Sequence, residues 1–186
     1  MATMTSSAQR KFPTLVPDMD QDLDAGAPER LAVVISFSGF AIVNKELPMQ
    51  VTPYLFFPGN CEVAFRFYEK VLGGKIDAML THEGMPAEQQ VPAEWRSKIM
   101  HARLAVGGMS LMGSDSPPEH YNQMQGFFVT LGIDTPAEAE RVFKALSDKG
   151  TVRMPLEKTF WAERFGMVVD QFGTPWMINC VLPAAA

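Results

Sequence analysis

Residues 160–179 read Phe160-Trp161-Ala162-Glu163-Arg164-Phe165-Gly166-Met167-Val168-Val169-Asp170-Gln171-Phe172-Gly173-Thr174-Pro175-Trp176-Met177-Ile178-Asn179. Apolar residues alternate up to Asp170, Gln171-Phe172-Gly173-Thr174-Pro175 reverses the chain, and alternation resumes from Trp176 to Val181. Period two on both sides of a Gly/Pro turn predicts a half-buried hairpin, with Asp170 capping the turn and Trp176 in the core.

Working outward from this hairpin, residues 151–159 predict a preceding strand, and before it Ala139, Val142, Phe143 and Leu146 recur at helical spacing. The helix opens on Thr135-Pro136-Ala137-Glu138, a capping box with proline at the first helical position, and Gly150 follows its end. Residues 126–134 predict the strand before it. The same order occurs earlier in the chain. Residues 51–57 predict a strand and Asn60 an N-cap; Ala64, Phe67, Tyr68, Val71 and Leu72 give a helix face closed by Gly73-Gly74. Residues 75–82 predict a strand, 83–98 a broken polar loop, and 99–106 with 109–115 a hairpin about Gly107-Gly108, where both positions tolerate positive φ. Strand, helix and three strands thus occur twice, at a spacing of about 75 residues judged from Asn60 and Thr135. The expected fold class is α+β, two βαβββ modules at about 49–118 and 123–183. Each helix covers one face of its sheet, and the opposite faces are expected to enclose a cavity between the halves.

The 186 residues are 47% hydrophobic and carry a net charge of -5, enough apolar content for one domain or two small modules. With no Lys/Arg cluster, this balance argues against a nucleic-acid partner. Cys61 and Cys180 form no C-x-x-C pair, which points to reduced thiols in a cytoplasmic setting rather than to disulfides or zinc; Cys61 has no neighbouring base and is expected to be inert. Thirteen methionines suit either a core or an adaptable apolar pocket.

The first 48 residues differ. Residues 1–30 are rich in Ser, Asp, Pro and Ala, a composition that predicts disorder. The apolar run 31–43 is too short to cross a bilayer and lies too far from the start for an ordinary signal peptide, so no membrane partner is expected. Lys45-Glu46 can be encoded AAG-GAG, a ribosome-binding tract just upstream of Met49. This makes Met49 the expected native start, and an intact mass from the native host showing the full-length chain would refute it.

Pro53-Tyr54-Leu55-Phe56-Phe57, the helix segment 64–68, Met100-His101-Ala102-Arg103-Leu104, Leu111-Met112-Gly113-Ser114-Asp115 and the 160–179 stretch occur together, in order. On these motifs the chain from Met49 to about Val181 resembles PhnB-like proteins of the vicinal oxygen chelate superfamily, which includes glyoxalase I, extradiol dioxygenases and bleomycin-resistance proteins. The PhnB-like family also carries the label 3-demethylubiquinone-9 3-methyltransferase. A methyltransferase of the usual kind would show a glycine-rich loop between strand and helix, and the sequence shows none.

Hairpin arithmetic about Gly107-Gly108 pairs Val106 with Met109, Ala105 with Ser110, Leu104 with Leu111, Arg103 with Met112 and His101 with Ser114. Met100, Ala102, Leu104, Val106, Met109 and Leu111 fall on one apolar face, expected against a helix. His101, Arg103, Ser110, Met112 and Ser114 fall on the other, expected to line the cavity. In the last hairpin Met177 and Asn179 point away from Trp176 and Ile178, which the superfamily resemblance implies is into the cavity. The superfamily resemblance implies metal ligands from the first and last strands of each module. Counting back from the caps puts Pro53 and Phe128 at the first-strand positions, with Met112 and Met177 on the last strands. None is a hard donor, so no metal or other cofactor is expected; a register error of two would bring in Thr130 or Asn179.

His101 is the candidate acid/base, with a structural histidine beside Ser114 as the alternative. Trp161 and Arg164 could clamp an anionic or aromatic ligand, or Arg164 could pair with Glu157 or Glu163. Arg103, Met112, Ser114, Phe128, Met177 and Asn179 complete the expected pocket. The expected assembly is a homodimer and the expected partner a small, partly apolar organic molecule. Two classes stay open, a binding module or an enzyme using His101 with Arg103 or Arg164 in an isomerase, lyase or hydrolase-like step, with a metal-dependent enzyme of the superfamily's isomerase, lyase or dioxygenase type and a purely structural dimer as further alternatives.

Overall fold

Alternating apolar positions, two amphipathic helices and glycine-rich turns give the chain two like halves. The structure, a computed structural model, describes residues 50–181 except residue 87. The readings of the first 48 residues, including the apolar run and the start at Met49, lie outside the described residues. The first half runs β1 (Tyr54–Phe57), α1 (Cys61–Leu72), β2 (Lys75–Thr81), β3 (Ile99–Val106) and β4 (Met109–Asp115). The second runs β5 (Val129–Gly132), α2 (Pro136–Ser147), β6 (Thr151–Glu157), β7 (Ala162–Val169) and β8 (Pro175–Val181). The sheets have the orders β1-β4-β3-β2 and β5-β8-β7-β6, each with one parallel pair at the β1 or β5 edge. Two βαβββ modules are therefore present. Among the described residues no helix is long and apolar enough to cross a membrane.

The β3–β4 hairpin takes the expected register, with Val106 paired to Met109 and Arg103 to Met112. Gly107 and Gly108 sit at φ 54 and 81, which glycine adopts without a Cβ penalty. Four strands are shorter than expected, β2 by one residue, ending at Thr81. β1 begins only at Tyr54, β5 spans Val129–Gly132, and β6 stops at Glu157 after two register shifts near Pro155; a proline has no N–H for the ladder and is at home in such an edge strand. The loop before β3 holds two short 3-10 turns, Glu88–Gln90 and Ala93–Trp95.

α1 buries Cys61, Ala64, Phe65, Tyr68 and Val71, while α2 buries Ala139, Val142 and Leu146. Ala102, Leu104 and Leu111 complete the first core, as their side of the hairpin predicts. Met109 departs from that reading: at the turn end of β4 it is 65% exposed. Gly113 marks a close approach of β4 to β1 and α1, since a Cβ there would lie 2.8 Å from the Leu55 carbonyl oxygen and 2.8 Å from Phe65 Cε2.

The helix caps differ in kind. Thr135 Oγ1 accepts from the Glu138 N–H at 3.3 Å, as the capping box predicts. Asn60 holds the N-cap position of α1, but its side chain makes no cap hydrogen bond, and its Oδ1 is buried without a partner. Its backbone, at φ -125 and ψ 22, lies outside the extended region usual for a capping side chain. Asp115, from the end of β4, caps instead. Its carboxylate accepts from the Cys61 N–H at 2.8 Å and from the Ile99 N–H at 2.9 Å.

The modules meet through their helices. α1 touches α2, and Arg141 of α2 donates to the Val71 carbonyl at 2.7 Å. Tyr68 reaches from α1 to the β7–β8 turn, where Asp170 gathers four donors. Oδ2 accepts from Tyr68 Oη and Trp176 Nε1, both at 2.7 Å; Oδ1 accepts from the Phe172 and Thr174 N–H groups at 2.8 and 3.0 Å. Phe67, Phe172 and Trp176 surround Tyr68 in edge-on contacts. Burial first, and the Asp170 carboxylate next, raise the Tyr68 pKa far above its usual value, so the phenol stays a donor. One apolar core results, and the uncovered face of each sheet lies on the far side from this contact.

Candidate functional site

Side-chain alternation along β1, β3 and β4 sends Leu55, Phe57, Ala102 and Leu104 to the helix and their neighbours to the open face. Register then sets the rows. Tyr54 pairs with Met112 and Met112 with Arg103; the next row holds Phe56 beside Ser114, with His101 two residues before Arg103. The second module repeats the grid: Thr130 pairs with Met177 and Met177 with Met167, then Gly132 with Asn179 and Asn179 with Phe165. By register, Thr130 stands where Tyr54 stands, Met167 where Arg103 stands and Phe165 where His101 stands. The folds are alike and the chemistry of the faces is not.

On the first face, the Tyr54 hydroxyl lies 3.2 Å from His101 Nδ1, and the rings are 5.8 Å apart. His101 was expected to answer Ser114; Tyr54 is the partner instead. Burial raises the Tyr54 pKa, with the Ser114 hydroxyl acting less strongly the other way. Burial also lowers the His101 pKa, Arg103 lowers it further, and Asp77 partly offsets both. Both groups are thus held neutral near pH 7. Arg103 Nε donates to Ser110 Oγ at 3.2 Å and lies 3.6 Å from Asp77 Oδ2. Met112 is half-buried and Ser114 buried.

On the second face, Thr130 Oγ1 donates to Met177 Sδ at 3.8 Å, and Asn179 Oδ1 is buried without a partner. Phe128 is partly buried just before β5. Trp161, 43% exposed, stands edge-on to Phe165 at 5.4 Å and so extends this face. Arg164 does not join it. Its guanidinium bonds Glu140 of α2 at 2.9 and 2.8 Å and the Glu163 carbonyl at 2.8 Å. The expected partners Glu157 and Glu163 are thus replaced by Glu140, and the Glu163 carboxylate pairs with Lys158. Arg164 and Glu140 instead border a groove of about 600 Å³ between α2 and β6, floored by Phe143 and Leu156.

Metal binding can be tested on the same grid. Hydrogen-bond register puts Tyr54 and Thr130, not Pro53 and Phe128, opposite Met112 and Met177. Tyr54 lies six residues before its helix cap Asn60 and Thr130 five before Thr135, both nearer than the seven at Pro53 and Phe128. The four positions offer a protonated phenol, a hydroxyl and two thioethers, a set that does not fit a divalent first-row ion. Among the described residues no three His, Cys, Asp or Glu side chains gather in a metal-binding group.

Sequence reasoning missed Tyr54 and Asp115. Tyr54 was detectable, because with Leu55 and Phe57 turned inward, period two turns Tyr54 outward beside Met112. The buried thiols of Cys61 and Cys180 stand outside the grid; burial first, then Asp115 and Glu62, push the Cys61 thiol well up, which fits an unreactive cysteine. His82 is also buried, and its Nδ1 lacks a partner. Burial lowers its pKa, with Asp115 opposing. The folded chain therefore binds protons less readily than the unfolded chain at His82 and His101. The stability this contributes is complete above the unfolded value of 6.5 and is lost as pH falls through the folded values. Urea midpoints measured downward from pH 6.5 are expected to fall, and His82→Leu to reduce the slope.

The two modules and their open faces define a glyoxalase-like fold of the vicinal oxygen chelate type. Within that class the chain belongs to the PhnB-like family, whose model, described as 3-demethylubiquinone-9 3-methyltransferase, matches residues 49–179. The YjdN protein of Escherichia coli is 36% identical over 141 residues, covering 72% of this chain and 96% of its own length. The solved structure of protein PA1353 from Pseudomonas aeruginosa is 49% identical with a TM-score of 0.66, covering 72% of this chain and 98% of its own. The Bacillus cereus PhnB protein, 21% identical with a TM-score of 0.61 over 72% of this chain and 100% of its own, shares the fold.

Proposed function

We propose that the protein binds a small, partly apolar organic molecule, as a homodimer in which the open face of the first module of one copy meets that of the second module of the other. The supporting observation is the pair of uncovered faces. Tyr54, Phe56 and Trp161 are 41%, 50% and 43% exposed, and they adjoin a few fixed polar groups rather than a continuous polar surface. Exposed aromatic groups clustered on an uncovered sheet face suit binding or assembly, and small-molecule sites combine apolar walls with few polar groups. A metal is not required in this reading, because thioethers, a phenol and a hydroxyl occupy the ligand positions. A nucleotide methyl donor is not part of it either: Pro58-Gly59-Asn60 and Ile133-Asp134-Thr135 join strand to helix, and neither is a glycine-rich phosphate loop. The expected place of action is the cytoplasm, the site of reduced thiols.

Sedimentation should give about twice the 20.6 kDa chain mass, and a monomer would refute the assembly. A thermal-shift screen of metabolites and antibiotics tests binding, since a ligand at 100 times its dissociation constant adds about 2.7 kcal/mol. A blank screen would count against binding. Stoichiometric nickel, zinc, manganese or iron in chelator-free preparations would overturn the metal-independent reading.

The Tyr54–His101 contact favours a second reading, an enzyme with His101 as acid/base. For that reading His101→Ala must abolish turnover and retain binding; unchanged turnover would remove it.

A further inference from the structure

We propose that the open face of the first module is built to receive the acid group of an organic anion, with the His101 Nε2–H and the terminal guanidinium nitrogens of Arg103 as donors and Tyr54 fixing the imidazole from behind. This rests on the reading of that face as a ligand wall.

The tautomer follows from the contact. A phenol that keeps its proton is the better donor, so at 3.2 Å Tyr54 Oη donates and His101 Nδ1 accepts. The ring proton then sits on Nε2, for which no protein acceptor is present among the described residues. Arg103 is anchored at one end only. Ser110 and Asp77 engage its Nε, leaving Nη1 and Nη2 without hydrogen-bond acceptors among the described residues. His101 and Arg103 are two residues apart on one strand, so their Cα atoms are about 7 Å apart on the same face. A carboxylate or similar acid group between them meets donors from both sides, and a guanidinium suits such a group.

The second module decides the orientation. At the positions of His101 and Arg103 it carries Phe165 and Met167, which offer neither charge nor donor. Its row adds Met177 and Thr130, whose hydroxyl is turned to sulfur. The acid group therefore lies on the first module's wall and the apolar body against Tyr54, Met112 and the sulfur-and-ring wall opposite. The groups acting on His101 are Tyr54 on β1, Asp77 on β2 and Arg103 on its own strand; of these Asp77 and Arg103 carry charge, and Arg103 outweighs Asp77.

The test uses the full chain, with ¹⁵N-labelled histidine and two probes of like shape, benzoate and neutral benzamide. Without a probe, the His101 nitrogens should report a protonated Nε2 and an accepting Nδ1, and Tyr54→Phe should raise the His101 pKa. A protonated Nδ1 would overturn the proposal. Benzoate should move the His101 signals and bind about tenfold more tightly than benzamide, and Arg103→Met should erase that preference. Equal binding of both probes, or a preference that survives Arg103→Met, would overturn the anion assignment and leave the ligand-wall reading standing. If neither probe touches His101, the proposal fails; a blank metabolite screen would then remove the reading beneath it as well.

Discussion

Asp170→Ala is expected to lower the unfolding free energy by about 4 kcal/mol, the largest loss for any single polar side chain of this fold. The carboxylate is 4% exposed and serves four donors, two of them on the fully buried side chains of Tyr68 and Trp176. Alanine leaves Trp176 Nε1 buried without an acceptor, at about 1–3 kcal/mol, turns Tyr68 Oη to its remaining acceptor Thr174 Oγ1 at 2.8 Å, and opens the turn that the Phe172 and Thr174 N–H groups close. Urea denaturation measures the loss. Tyr68→Phe is the control: it removes one donor and should cost about 1–2 kcal/mol. A loss below about 1 kcal/mol for Asp170→Ala would show that water or repacking replaces the carboxylate.

Asp115→Ala is expected to cost about 3 kcal/mol, and Asp115→Asn nearly as much. One carboxylate oxygen holds the first N–H of α1 and the other holds the N–H that begins β3. An amide has one acceptor oxygen, so Asn can serve only one of the two, and it loses the charge that favours a helix N-terminus. Asn60 does not substitute, because its side chain makes no cap bond. Asn60→Ala should therefore cost much less than the about 1 kcal/mol typical of a lost cap. If Asn60→Ala is the more damaging change, Asp115 is not the cap.

The contrast between Asn60 and Asp115 shows what the sequence can carry. Local rules worked where the partner lies within a few residues: Thr135 caps through Glu138, Gly107-Gly108 turns the hairpin, and the register of Arg103 with Met112 follows from the turn. Asp115 is 54 residues from Cys61, and no periodicity links them. The open face was read in part. Alternation assigned His101, Arg103, Met112, Met177 and Asn179 to it, but the Tyr54–His101 contact needs the parallel β1–β4 register, which no turn fixes. Arg164 was misplaced for a similar reason. A register shift in β7 between Ala162 and Arg164 breaks strict alternation, and the guanidinium reaches Glu140 on the helix side. The enclosed space between the halves of one chain was also not realised, because the modules join through α1, α2 and the turn at Asp170, leaving the open faces outside.

That junction has a consequence for how the duplicated halves live. Tyr68 has its hydroxyl acceptor in the second half, and Asp170 has a donor in the first, so neither half holds a complete set of its own. A gene fragment encoding either half alone should yield a chain that precipitates with a bare aromatic seam, and the intact chain should melt in one step. The repeat is twofold in shape but single in its unit of survival.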